Sequence, residues 1–140
     1  MALRLSVKAR NALGNALNDL IDNGSITPAP YLEIRTGSRP ANPDTPATGI
    51  LLVTINLPIS GFGSFSNGRA IISNINASIA IQNDGQAGYF RIYNRDREAI
   101  LDGSIGLTGS ASDLLFDRVD FSTGGSIAIT NLSISVPLDC

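Results

Sequence analysis

The side chains able to do chemistry in this sequence are ten Asp, two Glu, nine Arg, one Lys, one Cys and three Tyr, with no His. Without histidine, no side chain titrates near neutral pH from its ordinary value, and imidazole-based zinc sites are excluded. A hydroxyl nucleophile needs a neighbouring base, and the only lysine, Lys8, stands between Arg4 and Arg10. Paired carboxylates could serve glycoside hydrolysis, but several of the Asp, among them Asp84, Asp102 and Asp113, stand beside Gly, Asn or Ser. In such turn-like segments a carboxylate accepts hydrogen bonds from nearby backbone. Asp113, Asp117 and Asp120 offer the oxygen ligands that calcium takes, yet on a strand positions 117 and 120 face opposite ways, so turn caps are the expected role. Gly124-Gly125 matches no phosphate-binding loop and is expected to be a bend. Cys140 is alone and permits no internal disulfide. No catalytic residue, metal or cofactor is expected, and the chain is not expected to be an enzyme.

Binding chemistry is better represented. Tyr89, Arg91 and Tyr93 alternate with Phe90 and Ile92, so a strand there places the three polar-tipped residues on one face and the two apolar ones in a core. Tyrosine and arginine concentrate binding energy at protein interfaces, and an exposed stripe of this kind is a candidate contact with a partner. The basic N-terminal stretch, with Arg4, Leu5 and Lys8, is a second candidate. Nucleic acid is not an expected partner, because ten basic residues against twelve acidic ones leave a formal charge of −2.

These residues need elements to position them. With 140 residues, the length suits one domain. Ser6 to Asp22 predicts a helix, with Leu13, Ala16, Leu17, Leu20 and Ile21 recurring at three- and four-residue steps, Ser6 as N-cap and Gly24 as stop. Its basic start and acidic end oppose the helix dipole, so it must be held by packing, on its own β domain or on another subunit. Deleting residues 1–23 is therefore expected to weaken assembly more than folding. The organisation expected is a helical segment over 1–24 and a β domain over 25–140.

Sixteen of the seventeen isoleucines lie beyond residue 24, which is strand composition. Strands are predicted at Tyr31–Thr36, Leu51 to Leu57, Arg69–Ser73, Ile75 to Ile81, Tyr89 to Tyr93, Glu98 to Leu101, Leu114 to Phe121 and Ser126 to Val136. In the last, apolar positions move from odd (Ile127, Ile129) to even (Leu132, Ile134, Val136). Either a bulge near Thr130-Asn131 or a change of sheet would account for that. Residues 37–48, with Pro40, Pro43 and Pro46, predict an exposed loop. The fold class expected is mainly β: an antiparallel β-sandwich or jelly-roll-like barrel with one N-terminal α-helix. No apolar run is long enough for a membrane helix, and the first ten residues lack the apolar core of a signal peptide.

Several stretches together carry a resemblance: Ala9-Arg10-Asn11-Ala12-Leu13, Ile34-Arg35-Thr36-Gly37-Ser38-Arg39-Pro40-Ala41-Asn42-Pro43, Ala87-Gly88-Tyr89-Phe90-Arg91-Ile92 and Leu101-Asp102-Gly103-Ser104-Ile105-Gly106. In these the chain resembles small virion proteins of tailed bacteriophages. The resemblance spans most of the chain, and its motifs are structural. It implies a capsid decoration, or cement, protein that binds the major capsid protein, forms a homo-oligomer such as a trimer, and resides in the virion after synthesis in the bacterial cytoplasm. A tail-tip, fibre-attachment or head–tail joining role is the alternative it implies.

Overall fold

The computed structural model describes residues 3–59, 62–73, 75, 79–129 and 131–137. Ser6 caps the helix as expected: its hydroxyl accepts from the Ala9 N–H at 3.1 Å, and α1 runs Val7–Asp22. The chain then enters β1 (Tyr31–Thr36), β2 (Leu51–Asn56), β3 (Arg69–Ser73), β4 (Ile79–Ala80) and β5 (Gly85–Tyr93). It continues through β6 (Ala99–Leu107), β7 (Leu114–Phe116), β8 (Asp120–Phe121), β9 (Ser126–Ile127) and β10 (Asn131–Ser135).

The architecture is mainly β with one N-terminal helix, as the composition implied, and its layout is a curled mixed sheet, a half-barrel. The main sheet has the order β2-β1-β5-β6-β7, with β8 attached to β5; β10 pairs with β3 and β4 with β9. Every pairing is antiparallel except β6 with β7, which is parallel, a departure from the all-antiparallel expectation. Parallel neighbours ordinarily need a long crossover. Here Ile105 faces Leu114, so residues 108–113 retrace only a short distance. Asp113 stitches that return, its carboxylate accepting from the Ser104 N–H and hydroxyl at 2.9 and 3.0 Å.

Strand alternation sets the core. Val53, Ile34 and Phe90 lie in register across β2, β1 and β5, as do Ile55, Leu32 and Ile92, and all six are buried. On β6, Gly103 faces Phe90, and its missing side chain makes room for the Phe90 ring. The small pairs close the open side with Ile72, Ile129 and Leu132. The shift in apolar phase after Ile129 is a change of sheet: β9 pairs with β4, whereas β10 pairs with β3. Thr130, Cys140 and most of the predicted strand between Ile75 and Ile79 lie outside the described residues.

The helix packs on its own β body. Its buried face is Gly14 and Ile21, with Arg10 and Leu17 half-buried beside them, a set spaced four, three and four residues apart. Leu13 and Leu20, expected in the packed stripe, are instead 52% and 46% exposed. An asparagine row explains the rotation. Asn11 Oδ1 accepts from the Gly68 N–H at 2.7 Å, Asn15 Oδ1 accepts from the Phe65 N–H at 2.8 Å, and Asn18 Nδ2 donates to the Gly63 carbonyl at 2.6 Å. Arg10 Nε adds a bond to the Val136 carbonyl at 2.8 Å. These side chains satisfy irregular backbone that would otherwise be left without partners. Removing residues 1–23 would uncover buried Phe65 and orphan those N–H groups, so the structure argues for loss of folding together with any loss of assembly.

Gly14 admits the Phe65 ring against the helix backbone, and an added Cβ would overlap three ring atoms. Alanine raises helix propensity by about 1 kcal/mol over glycine, whereas overpacking costs about 1–3 kcal/mol. Gly14→Ala should therefore lower the urea midpoint, while Ala16→Gly, at an exposed site, should lower it only by the propensity term. A more stable Gly14→Ala protein would show that Phe65 moves freely.

Candidate functional site

Two regions were marked as candidate contacts by sequence, and the structure treats them differently. Tyr89, Arg91 and Tyr93 do share one face of β5, opposite Phe90 and Ile92. Across the sheet that face forms rows. Glu33 of β1, Arg91 and Asp102 of β6 are in register, as are Tyr31, Tyr93 and Ala99. The expected exposed stripe is nevertheless absent, because Tyr89 is 0% and Arg91 2% exposed. This corrects their assignment as partner-binding residues: another part of the same chain covers them.

The cover is the proline-rich loop over residues 37–48. The Tyr89 hydroxyl donates to the Thr48 carbonyl at 2.6 Å and accepts from the Thr48 N–H at 3.0 Å. Arg91 Nη1 donates to the Thr45 carbonyl at 2.7 Å, and Nη2 reaches the Asn42 carbonyl at 3.4 Å. The same guanidinium grips Asp102 with two bonds, Nε to Oδ1 and Nη2 to Oδ2, the second at 3.0 Å. Their side chains are 2% and 4% exposed. Within the loop, Asn42 Oδ1 accepts from the Thr45 N–H and hydroxyl, a side-chain-closed turn. Gly88 lets the loop start close: a Cβ there would overlap the Gly37 carbonyl oxygen. The hydrogen bonds that Arg91 donates to Asp102 are the largest cause raising its pKa above the ordinary value.

Tyr93 is half-buried at the end of the loop and stacks on Tyr31, with ring centroids 4.9 Å apart and planes 13° from parallel. Burial first, and then the charge of Glu33, pushes both phenols above the usual 10.0. Glu33 is itself paired with Arg35 at 3.0 Å.

The N-terminal candidates remain at the surface: Arg4 and Lys8 are exposed and Leu5 half-buried. Apolar side chains that the sequence assigned to a packed stripe are exposed further along the helix. Leu13 and Leu20 flank the packed face of α1, and Leu3 and Val7 are 70% and 48% exposed near its start. This surface and the covered stripe lie on opposite sides of the main sheet, because Leu17 of α1 shares a groove with Phe90 and Leu101 on the core side. The signal for it was the Asn11, Asn15, Asn18 spacing, which turns those leucines outward. Asp102, also missed, is recognisable as the in-register partner of Arg91 only once β5 and β6 are paired.

Three of the carboxylates weighed as ligands or acids are committed to local structure. Asp113 caps Ser104 and sits 3.8 Å from Arg39, Asp117 accepts from the Thr108 hydroxyl at 3.1 Å, and Asp84 accepts from the Thr123 N–H and hydroxyl. Among the described residues no group of three or more potential metal ligands gathers, and no helix is long and apolar enough to cross a membrane. No protein-family model, curated protein or solved structure matches the chain.

Two outcomes follow from the covered face. Asp102→Asn leaves the Arg91 charge buried with a neutral partner, and breaking such a pair costs about 3–5 kcal/mol. The variant should show a correspondingly lower urea midpoint and faster protease cleavage within residues 37–48; unchanged cleavage would show that the loop holds without the pair. Because the folded state keeps the Tyr31 and Tyr93 protons more tightly than the unfolded chain, their contribution is complete below pH about 10 and is lost as pH rises beyond it. Urea midpoints should fall across that range, and fall less steeply in a Tyr31→Phe/Tyr93→Phe protein.

Proposed function

We infer that this chain is a structural subunit of a virus particle, most specifically a decoration protein that binds the assembled capsid of a tailed bacteriophage and stabilises it. The observation that carries the reading is the exposed leucine pair of α1, Leu13 and Leu20, seven residues apart on one flank of a helix fixed by four side-chain bonds to the β body. A surface held rigid before binding loses little freedom on docking, so its apolar area converts efficiently into affinity. Arg4 and Lys8 are exposed near the start of the same helical segment, and charged groups around an apolar contact orient a partner.

The resemblance of the N-terminal and loop stretches to small phage virion proteins supplies the kind of partner, the major capsid protein. Repetition supplies the effect. A contact of about 1,600 Å² per copy is ordinary in strength, but many copies on one shell resist its expansion together. A closed homo-oligomer, such as a trimer at local threefold positions, would suit that geometry.

Mixing the purified protein with shells of its particle that lack it, followed by sedimentation and heating, tests the reading. Wild-type protein should co-sediment and raise the temperature at which shells open. Burying one leucine contributes about 1.5–3 kcal/mol, so Leu13→Ser/Leu20→Ser should weaken binding at least tenfold with an unchanged melting temperature. Equal binding by the variant, or no binding by the parent, overturns the proposal. A dozen or fewer copies per particle would move the protein to the tail.

A further inference from the structure

The loop over residues 37–48 covers only part of the polar face of the main sheet. Beyond its anchor at Arg91 the face stays open as a cleft of about 390 Å³, bounded by Pro46 and Ala47 on one side and by Arg97, Glu98 and Ala99 on the other. That volume is in the range of small-molecule sites, roughly 300–1,000 Å³.

One aromatic side chain, Tyr93, lines the cleft. Tyr93 is stacked on Tyr31 across the β1 side, but its neighbour on β6 is Ala99, which is too short to cover a ring. The Tyr31 stack and the β5 backbone fix the plane of that platform, and the bond from Arg91 to the Thr45 carbonyl fixes the opposite wall. Arg97 is held at φ 64°, in the left-handed region that non-glycine residues adopt only when their surroundings enforce it. The turn that holds it is over-determined: the Arg97 N–H donates to the Asn94 carbonyl at 3.1 Å, and the buried Asn94 amide bonds Asp96 N–H, Glu98 N–H and the Glu98 carboxylate. This conformation sets Arg97 and Glu98 side by side on the rim.

The charges there choose the ligand. Arg91 is consumed by Asp102, leaving Arg97 against Asp44 and Glu98 on the cleft wall. An anion would meet two carboxylates, and a cation would meet the guanidinium. A neutral ligand with many hydroxyls suits both signs, donating to the carboxylates and accepting from Arg97, and a sugar ring also carries an apolar C–H face that packs on an aromatic ring. We propose that the cleft beside Tyr93 binds a neutral sugar ring, with Tyr93 as its platform and Arg97 and Glu98 as its polar contacts. The site is independent of the helix surface and of the capsid reading.

Amide chemical-shift titration of the full chain with glucose, galactose, N-acetylglucosamine and rhamnose tests this, with inorganic phosphate and guanidinium chloride as charged controls. At least one sugar should give saturable shifts centred on Ala47, Tyr93, Arg97, Glu98 and Ala99. Arg97→Gly removes the guanidinium while suiting the positive φ, so it should weaken binding about tenfold without lowering the melting temperature. Tyr93→Ala should abolish the shifts. Absence of saturation with all four sugars, a response to the charged probes alone, or sugar binding that survives Arg97→Gly unchanged overturns the proposal; the Arg97 variant keeps the test decisive if Tyr93→Ala fails to fold.

Discussion

One buried ion pair organises the polar half of this molecule. Arg91 presents donors in a fixed planar fork, and Asp102 takes two of its bonds while the Thr45 and Asn42 carbonyls take the others. A buried pair of this kind gains little over an apolar core of the same volume, since desolvation offsets most of the attraction. Its value lies in having one satisfied arrangement. Shifting β5 against β6, or lifting the loop, would strand a charge or a carbonyl away from water. The loop's course, and with it the wall beside Tyr93, follows from that requirement.

The opposite half is organised by side-chain bonds to backbone. Three asparagines and one arginine of α1 bond backbone of the 63–68 segment and Val136, where no regular ladder can. Gly14 brings the helix axis down onto Phe65. Side-chain amides do here what a further strand would do elsewhere, and the leucines left outside become a surface.

The difference between what the sequence disclosed and what it hid follows the range of the interactions. β1 and β3 have the spans that alternation and turn residues predict, and Ser6 caps the helix as its type and position imply. The phase change after Ile129 left a bulge or a change of sheet open, and the pairings of β9 and β10 have the second. Such features depend on neighbours a few residues away. Alternation places Tyr89 and Arg91 on one face, but it cannot say what lies over that face. The cover comes from residues 42–48, part of the exposed loop that the prolines predict, but nothing in their types says that the loop's inner side closes over β5, and the partner Asp102 comes from another strand. Helix apolarity misled in a similar way. Leucines outrank glycine and asparagine on any hydrophobic scale, yet close approach and backbone bonding decided which side of α1 faces inward. The parallel β6–β7 pair was equally hidden, since its short return depends on Asp113 binding Ser104.

The bond between Arg10 and Val136 joins residues separated by almost the whole chain. On a ribosome, which makes chains from the N-terminal end, the helix emerges before every strand described, and its anchor at Val136 follows all of them. Its other anchors, at Gly63, Phe65 and Gly68, follow 45 to 57 residues behind the asparagines that hold them, so the packed side of the helix waits uncovered until that segment is made. The nascent protein passes through a period in which the helix is its stickiest part, and rapid translation or a chaperone that shields short amphipathic segments would raise its yield.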